Sequence, residues 1–479
     1  MRPATLAGFA AGCALLSSLV IAAAPAALPA PLDALQRAAL KDQRAYATLR
    51  SLTTEVGHRL AGSPGDAKAV AWALRTLREQ GFANVRAEPV TVPRWVRGKA
   101  SVALIAPEAR SFAALALGGS VGTPPAGIEA EVIAVTTVDE LKALSRERVA
   151  GKIVFLYDRM LPAVDGMDYG TTVQIRSRGA IEGAKLGALA VVIRAVGTED
   201  EQRPHTGSMR YANGVPRIPA FAIGTRDAQQ LLELFARGPV RLHVASESRC
   251  EAPVESANVI GEIVGRERPE EFVLLGAHLD SWDVGTGAQD DGAGVVTVME
   301  AARRIGELAQ KPRRSLRVVL FANEEFGLSG GKAYAQAHEA ELDHHVAALE
   351  SDLGSGRVFQ FESRVKPGDL ASAIALADAL RPLELRFASN AASGGADISP
   401  LRDRGVPVFD LQHDATKYFE IHHTEADTLD RVDPKALAFN VAAYATLAWQ
   451  LAEREARFER LSRSWPEPVS DVSPCDWVP

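Results

Sequence analysis

GAHLDSWDVGTGAQDDGAG, residues 276–294, is the stretch on which the reading of this chain turns. It holds one histidine, four aspartates and five glycines, directly behind the apolar run EFVLL. Like charges repel, and a sheet edge has no packing reason to collect carboxylates beside an imidazole. Either the run is a solvated polar loop, or a cation neutralises it. The glycines around Asp290 let the backbone bend, so such a loop can fold back onto the edge of a sheet.

Outward from that stretch the chain alternates strand and helix. EFVLLGAH reads as a strand and AGVVTVMEAARRIGELA as a helix. SLRVVLFA and GGKAYAQAHEA repeat the pair, as do HVAALESD with GDLASAIALADAL and VPVFDLQ with PKALAFNVAAYATLAWQLAE. This alternation predicts an α/β fold, a mostly parallel or mixed sheet covered by helices. Ligands of such sheets sit beyond the carboxyl ends of the strands. His278 and Asp280, then Asp290 and Asp291, follow the first of these strands. Glu324 and Glu325 follow the second, Asp352 the third, and His422 and His423 lie past the fourth in EIHHTEADT. Imidazoles and carboxylates without cysteine form the donor set of a borderline divalent ion such as Zn²⁺. Two ions about 3.5–4 Å apart could share one bridging carboxylate. Of the neighbours Glu324 and Glu325, one can ligate while the other stays free as general base beside a metal-activated water.

Taken singly, these residues are ordinary. A lone histidine is more often structural, and a Glu–Glu pair is usually a solvated loop. Their shared position behind apolar strands sets them apart. Asp291 reads as a residue that bonds its own loop, Trp282 as core packing or a pocket wall, and Asp397 in SGGADIS as a turn residue or a substrate contact. His58, His205, His243, His338, His344, His345 and His413 read as structural or surface. His344 and His345 precede their strand and so fall at the wrong sheet edge. Near the N-terminus, DAKAVAWALRTLREQG predicts a helix capped by Asp66 and ended by Gly81.

RLAGSPG, HLDSWDVGTGAQDDGAG, NEEFGLSGG, ESDLGSG, SGGADISPL and HHTEADT run in that order through nearly all of the mature chain. In this it resembles the M28 family of zinc exopeptidases, most closely the carboxypeptidase Q branch. The resemblance implies a three-layer α/β/α fold with two Zn²⁺ per chain. It implies His278, Asp290 (bridging), Glu325, Asp352 and His423 as metal ligands and Glu324 as the catalytic base. Asp280 would steady the His278 ring. The family pattern His-Thr-x-x-acid-Thr fits His423, Thr424, Asp427 and Thr428, which leaves His422 as the fallback ligand or a substrate contact. VAGKIVFLYDR, RGAIEGAKLGALAVVI and RIPAFAI resemble an inserted protease-associated domain, given bounds of 119–250. The peptidase domain would then comprise 28–118 and 251–465, with a tail at 466–479. The implied activity is hydrolysis of dipeptides or short peptides, of aminopeptidase or dipeptidase type. Two rivals differ in metal content: a glutaminyl-cyclase-like acyltransferase on the same fold would hold one zinc, and a non-catalytic binding ectodomain none.

The N-terminus MRPATLAGFAAGCALLSSLVIAAAPAALPAP reads as a signal peptide over residues 1–27 and predicts a secreted or periplasmic protein. Beyond it, no stretch could span a membrane. Cleavage removes Cys13 and leaves Cys250 and Cys475, which can pair in an exported chain, although their spacing does not decide it. No Lys/Arg block marks a nucleic-acid footprint, so the expected partner is a peptide. A homodimer is compatible with the sequence.

Overall fold

The computed structural model describes residues 28–464, 471–472 and 475. The expected signal peptide lies outside the described residues. Two eight-stranded sheets organise the chain. The first contains, in chain order, β1 (Ala83–Val96), β2 (Arg249–Ile263), β3 (Arg268–His278), β4 (Arg314–Phe321), β5 (His345–Glu350), β6 (Val358–Arg364), β7 (Arg386–Phe387) and β8 (Val408–His413). In space they run β1-β2-β4-β3-β5-β8-β6-β7. The four central strands β4, β3, β5 and β8 are mutually parallel. Their carboxyl ends therefore share one edge.

Parallel strands covered on both faces read as continuous apolar runs. Phe272 to His278 of β3 are accordingly all buried. Successive side chains still alternate faces. Val273, Leu275 and Ala277 enter the larger core with helices Ala293–Gly306 and Pro434–Glu453. Leu274 enters the opposite core with Tyr334, Ala335 and Leu401 from helices Ser329–Ala337 and Ser399–Asp403. Three layers, helix–sheet–helix, result. Cutting Leu275 to Ala would cost about 2–5 kcal/mol, because so enclosed a site collapses little.

The second sheet is built from residues 100–246, in the order 110–112, 100–106, 241–246, 128–135, 153–156, 190–194, 220–223 and 114–116. It takes strands from both sides of residue 119, the boundary read from sequence. Ala100–Ala106 pairs antiparallel with Arg241–Ser246, a partner far along the chain that local texture does not reveal. The helix after RLAGSPG spans Pro64–Glu79 and is capped by Ser63, not Asp66. The Ser63 hydroxyl accepts from Gly65 N and Asp66 N. Pro64 supplies a preset φ at the first helical position, where its missing N–H costs nothing. The Asp66 carboxylate instead accepts from Gly62 N at 2.9 Å and Ser256 Oγ at 2.9 Å.

Cys250 and Cys475 form a disulfide with Cα atoms 5.4 Å apart, closing a separation of 225 residues. Among the described residues no helix is long and apolar enough to cross a membrane.

Candidate metal centre

The parallel ladder fixes where the acids meet. His278 is the last residue of β3 and lies in register with Phe321, the last of β4. Glu324 and Glu325 follow Phe321 within one turn. Asp352 lies two residues past the end of β5. The loop behind β3 is pinned from below by Arg59, fully buried, which donates to the carbonyls of Leu279 (2.6 Å), Thr286 (2.8 Å) and Gly287 (2.9 Å). Asp427 accepts from Gln289 N at 2.6 Å and Asp290 N at 3.1 Å, which aims the Asp290 side chain outward. The Asp290–Asp291 peptide is cis. Asp291 accepts from His278 N (3.1 Å) and Gly294 N (3.0 Å), so it bonds its own loop.

Asp290 is the hub. Its Oδ1 lies 3.0 Å from His278 Nε2, and its Oδ2 lies 3.2 Å from His423 Nε2. Asp352 Oδ1 is 3.3 Å from His278 Nε2, and Glu325 Oε2 is 3.1 Å from His423 Nε2. His422 Nε2 stands farther off, 3.6 Å from Asp290 Oδ2, with its ring stacked on His423 at 3.5 Å. All five residues named as ligands thus converge, and His422 adjoins them. The His278 Nδ1 approaches the Asp280 carbonyl at 3.2 Å and its carboxylate at 3.6 Å. The Asp280 carboxylate also accepts from Glu324 N at 3.0 Å. It therefore touches both the histidine and the Glu–Glu turn.

These distances suit bound cations. Tetrahedral zinc at about 2.0–2.2 Å from N and O donors sets its ligand atoms roughly 3.3 Å apart. Two groups, His278–Asp290–Asp352 and Asp290–His422–His423, each offer donor atoms within 4.8 Å of one another. Glu325 stands closer to His423 Nε2 than His422 does to Asp290, which favours Glu325 over His422 as the third donor of the second group. The Glu325 Oε1, Asp280 Oδ2 and His422 Nδ1 atoms are buried without a protein partner. Such groups are costly unless something else satisfies them.

The charges push in both directions. Burial alone would raise Asp290, but His278 and His423 hold it well below the usual carboxylate range. Burial, reinforced by Glu325, Asp352 and Asp397, pushes Glu324 well above that range against the pull of His278. Burial also raises Asp427, to about 7. His422 is driven well below the ordinary imidazole value by burial and by His423.

Trp282 is buried and lines a small cavity with Asp290, His423 and Asp427. Its ring packs 5.1 Å from Phe326 and 5.5 Å from His423. Gly118 makes room for it, since a Cβ there would fall 2.0 Å from the indole. Asp397 lies in the turn that precedes helix Ser399–Asp403. It is fully buried, its N–H donates to Glu350 Oε2 at 3.0 Å, and its carboxylate has no protein partner. His205, read as structural or surface, is buried with Nε2 3.0 Å from Glu199. Arg59 opens the RLAGSPG motif, but its partners Leu279 and Gly287 lie 220 and 228 residues away, which the motif does not reveal. Arg176 and Thr206, which reach His423 from the second sheet, left no signal.

Residues 258–448 match the model of peptidase family M28. Carboxypeptidase Q of Bos taurus is 38% identical over 426 residues, covering 87% of each chain. The chain belongs to peptidase family M28. The human carboxypeptidase Q is 36% identical over 420 residues, again covering 87% of each. A crystal structure of a peptidase M28 precursor from Shewanella amazonensis superposes with a TM-score of 0.89 at 43% identity, covering 90% of this chain and 98% of that one. A zinc aminopeptidase from Bacillus subtilis shares the fold at a TM-score of 0.63 and 19% identity, over 86% of this chain and 96% of its own. The chain is thus a peptidase of this family.

Proposed function

We propose that this chain is an exported exopeptidase that holds two zinc ions and hydrolyses dipeptides or short peptides from a free end. The observation that carries it is Asp290, whose two carboxylate oxygens each face a different imidazole, 3.0 and 3.2 Å away. A carboxylate so placed can bridge two ions. One position would be completed by His278 and Asp352, the other by His423 and Glu325. The N/O donors and their spacing fit zinc. When bound, zinc polarises a scissile carbonyl and makes water acidic near neutral pH.

The remaining chemistry falls to the chain. Glu324 is held by its backbone N–H on Asp280, so its carboxylate stays near the rim while Glu325 turns to His423. Glu324 takes the proton from the attacking water and delivers it to the leaving amine. Its upward-shifted pKa suits a group that must hold a proton between those events. Kinship with carboxypeptidase Q supports cleavage at a free end of a peptide. The apolar N-terminal leader supports export, and the second sheet, read as a protease-associated domain, would cover the approach to the rim.

A panel of dipeptides, free and blocked at the amine, assayed with and without chelator, tests this reading. The expected result is two zinc ions per chain, activity lost on chelation, and loss of turnover on blocking the amine. One zinc per chain with cyclisation of N-terminal glutamine would transfer the assignment to the acyltransferase.

A further inference from the structure

The second sheet does more than stand beside the rim. Its helix Gln174–Lys185 carries Arg176, which is 6% exposed. Arg176 Nη2 donates to the Tyr169 hydroxyl at 2.5 Å, and Nη1 donates to Thr206 O at 3.3 Å. The same Nη1 lies 3.3 Å from His423 Nδ1, and His423 Nδ1 lies 3.2 Å from Thr206 O. Thr206 N donates in return to His423 O at 3.0 Å. The Thr206 hydroxyl accepts from Arg97 at 3.0 Å, and Arg97 grips both oxygens of Asp283 in the loop behind β3. Gly207 has φ +131°, and a Cβ there would fall 2.3 Å from the Arg176 guanidinium carbon. The backbone is thus shaped around Arg176.

A neutral imidazole carries its proton on one nitrogen only. If Nδ1 of His423 holds it, the proton goes to Thr206 O, and the Nε2 lone pair faces Asp290 and Glu325. If Nδ1 is bare, it accepts from Arg176, and Nε2–H cannot bind a cation. Thr206 O has two lone pairs and can accept from Arg176 and His423 together. We infer that Arg176 and Thr206 are positioning residues of the second metal position: they hold the His423 ring and supply the acceptor that leaves Nε2 free. The inference rests on the two-zinc reading above. It assigns the second sheet a structural share in the metal centre. Attraction cannot explain Arg176, because a guanidinium beside a cation site weakens binding by its charge. Charge and positioning thus predict opposite outcomes when it is removed.

The experiment is zinc binding by chelator competition in the full chain, for the wild type, Arg176→Met and Gly207→Ala. Wild type should bind two ions. Both variants should bind the second ion roughly 10- to 100-fold more weakly, the usual cost of losing a group that orients a histidine ligand, and the first with unchanged affinity. Equal or tighter second-ion binding in Arg176→Met overturns the inference while leaving the two-zinc reading intact. Fewer than two ions in wild type overturns both. Should Arg176→Met not fold, Gly207→Ala decides, since its added Cβ displaces the Arg176 guanidinium. Second-ion binding weakened at least 10-fold supports the inference, and unchanged binding defeats it.

Discussion

The first sheet carries histidines and carboxylates toward both of its ends. Near the start of β5, His338 places Nε2 3.0 Å from Glu88 and Nδ1 3.1 Å from Glu341. His345 meets the Tyr334 hydroxyl at 2.8 Å and the Glu341 carbonyl at 3.1 Å, and Arg317 joins Tyr334 to Glu262. Each of these side chains finds a partner inside the protein. At the carboxyl end, Glu325 Oε1, Asp280 Oδ2, Glu350 Oε1, both Asp397 oxygens and His422 Nδ1 are buried without one. The same residue types thus build a finished network at one end and an unfinished one at the other. Unmet bonding capacity, more than composition, distinguishes a ligand site from a structural cluster.

The sharpest way to break this contrast is at Glu324. Glu324→Gln keeps the shape of the side chain and removes its basicity. Turnover of a dipeptide should fall by about 10²–10⁴-fold, the usual worth of a positioned base, while zinc content stays at the wild-type value. Steady-state rates and metal analysis on the same sample check this. An unimpaired rate would move the base elsewhere. The matching change at the other end, Glu341→Gln, should leave turnover unaltered.

Zinc should next separate the two ends by stability. Free zinc at about 100 times its dissociation constant should add about 2.7 kcal/mol per site, provided the unfolded chain does not bind it. Asp290→Asn should lose most of that gain, because both positions share Asp290. Thermal unfolding with and without chelator reads the effect. If zinc stabilised the Asp290→Asn variant as much as wild type, the shared-carboxylate arrangement would be wrong.

The carboxyl end was legible in the sequence because parallel strands with helical crossovers deliver every strand end to one edge. His278, Glu324, Glu325 and Asp352 follow from that rule. Residues that approach the rim across the sequence were not legible. The Arg176–His423 contact joins residues 247 apart, and no periodicity encodes it. Trp282 reads as core packing or a pocket wall until Gly118 is seen to lie against it. The second sheet begins before residue 119 because the partner of its 100–106 strand comes at 241–246. Asp66 reads as a cap because Ser, Pro and Asp all favour helix starts, and only the backbone shows which hydroxyl or carboxylate meets the free N–H groups.

The smallest effect lies at the finished end. Glu88 and Glu341 raise the His338 pKa above 6.5 against the opposing effect of burial. The folded state therefore holds the proton more tightly than the unfolded chain. Stability from this group is fully present below pH 6.5 and is lost as pH rises through the folded value. The amount is about 1 kcal/mol or less, because Glu341 is half exposed and its share is screened by solvent. Asp427 acts in the same direction from the other end. Its carboxyl, raised by burial to about 7, binds a proton in the folded state that the unfolded chain releases near pH 4, so metal-free protein also loses stability between pH 4 and 7. Zinc separates the two contributions. Loading should flatten the slope below pH 7 by stabilising the ionised acids of the rim, and leave the His338 slope above pH 6.5 in place. His338→Gln should remove that upper slope alone. Urea unfolding across pH 5–8, with and without zinc, would show whether the two ends titrate independently. If His338→Gln instead altered the zinc-sensitive limb, the finished network would be coupled to the metal rim through the sheet between them.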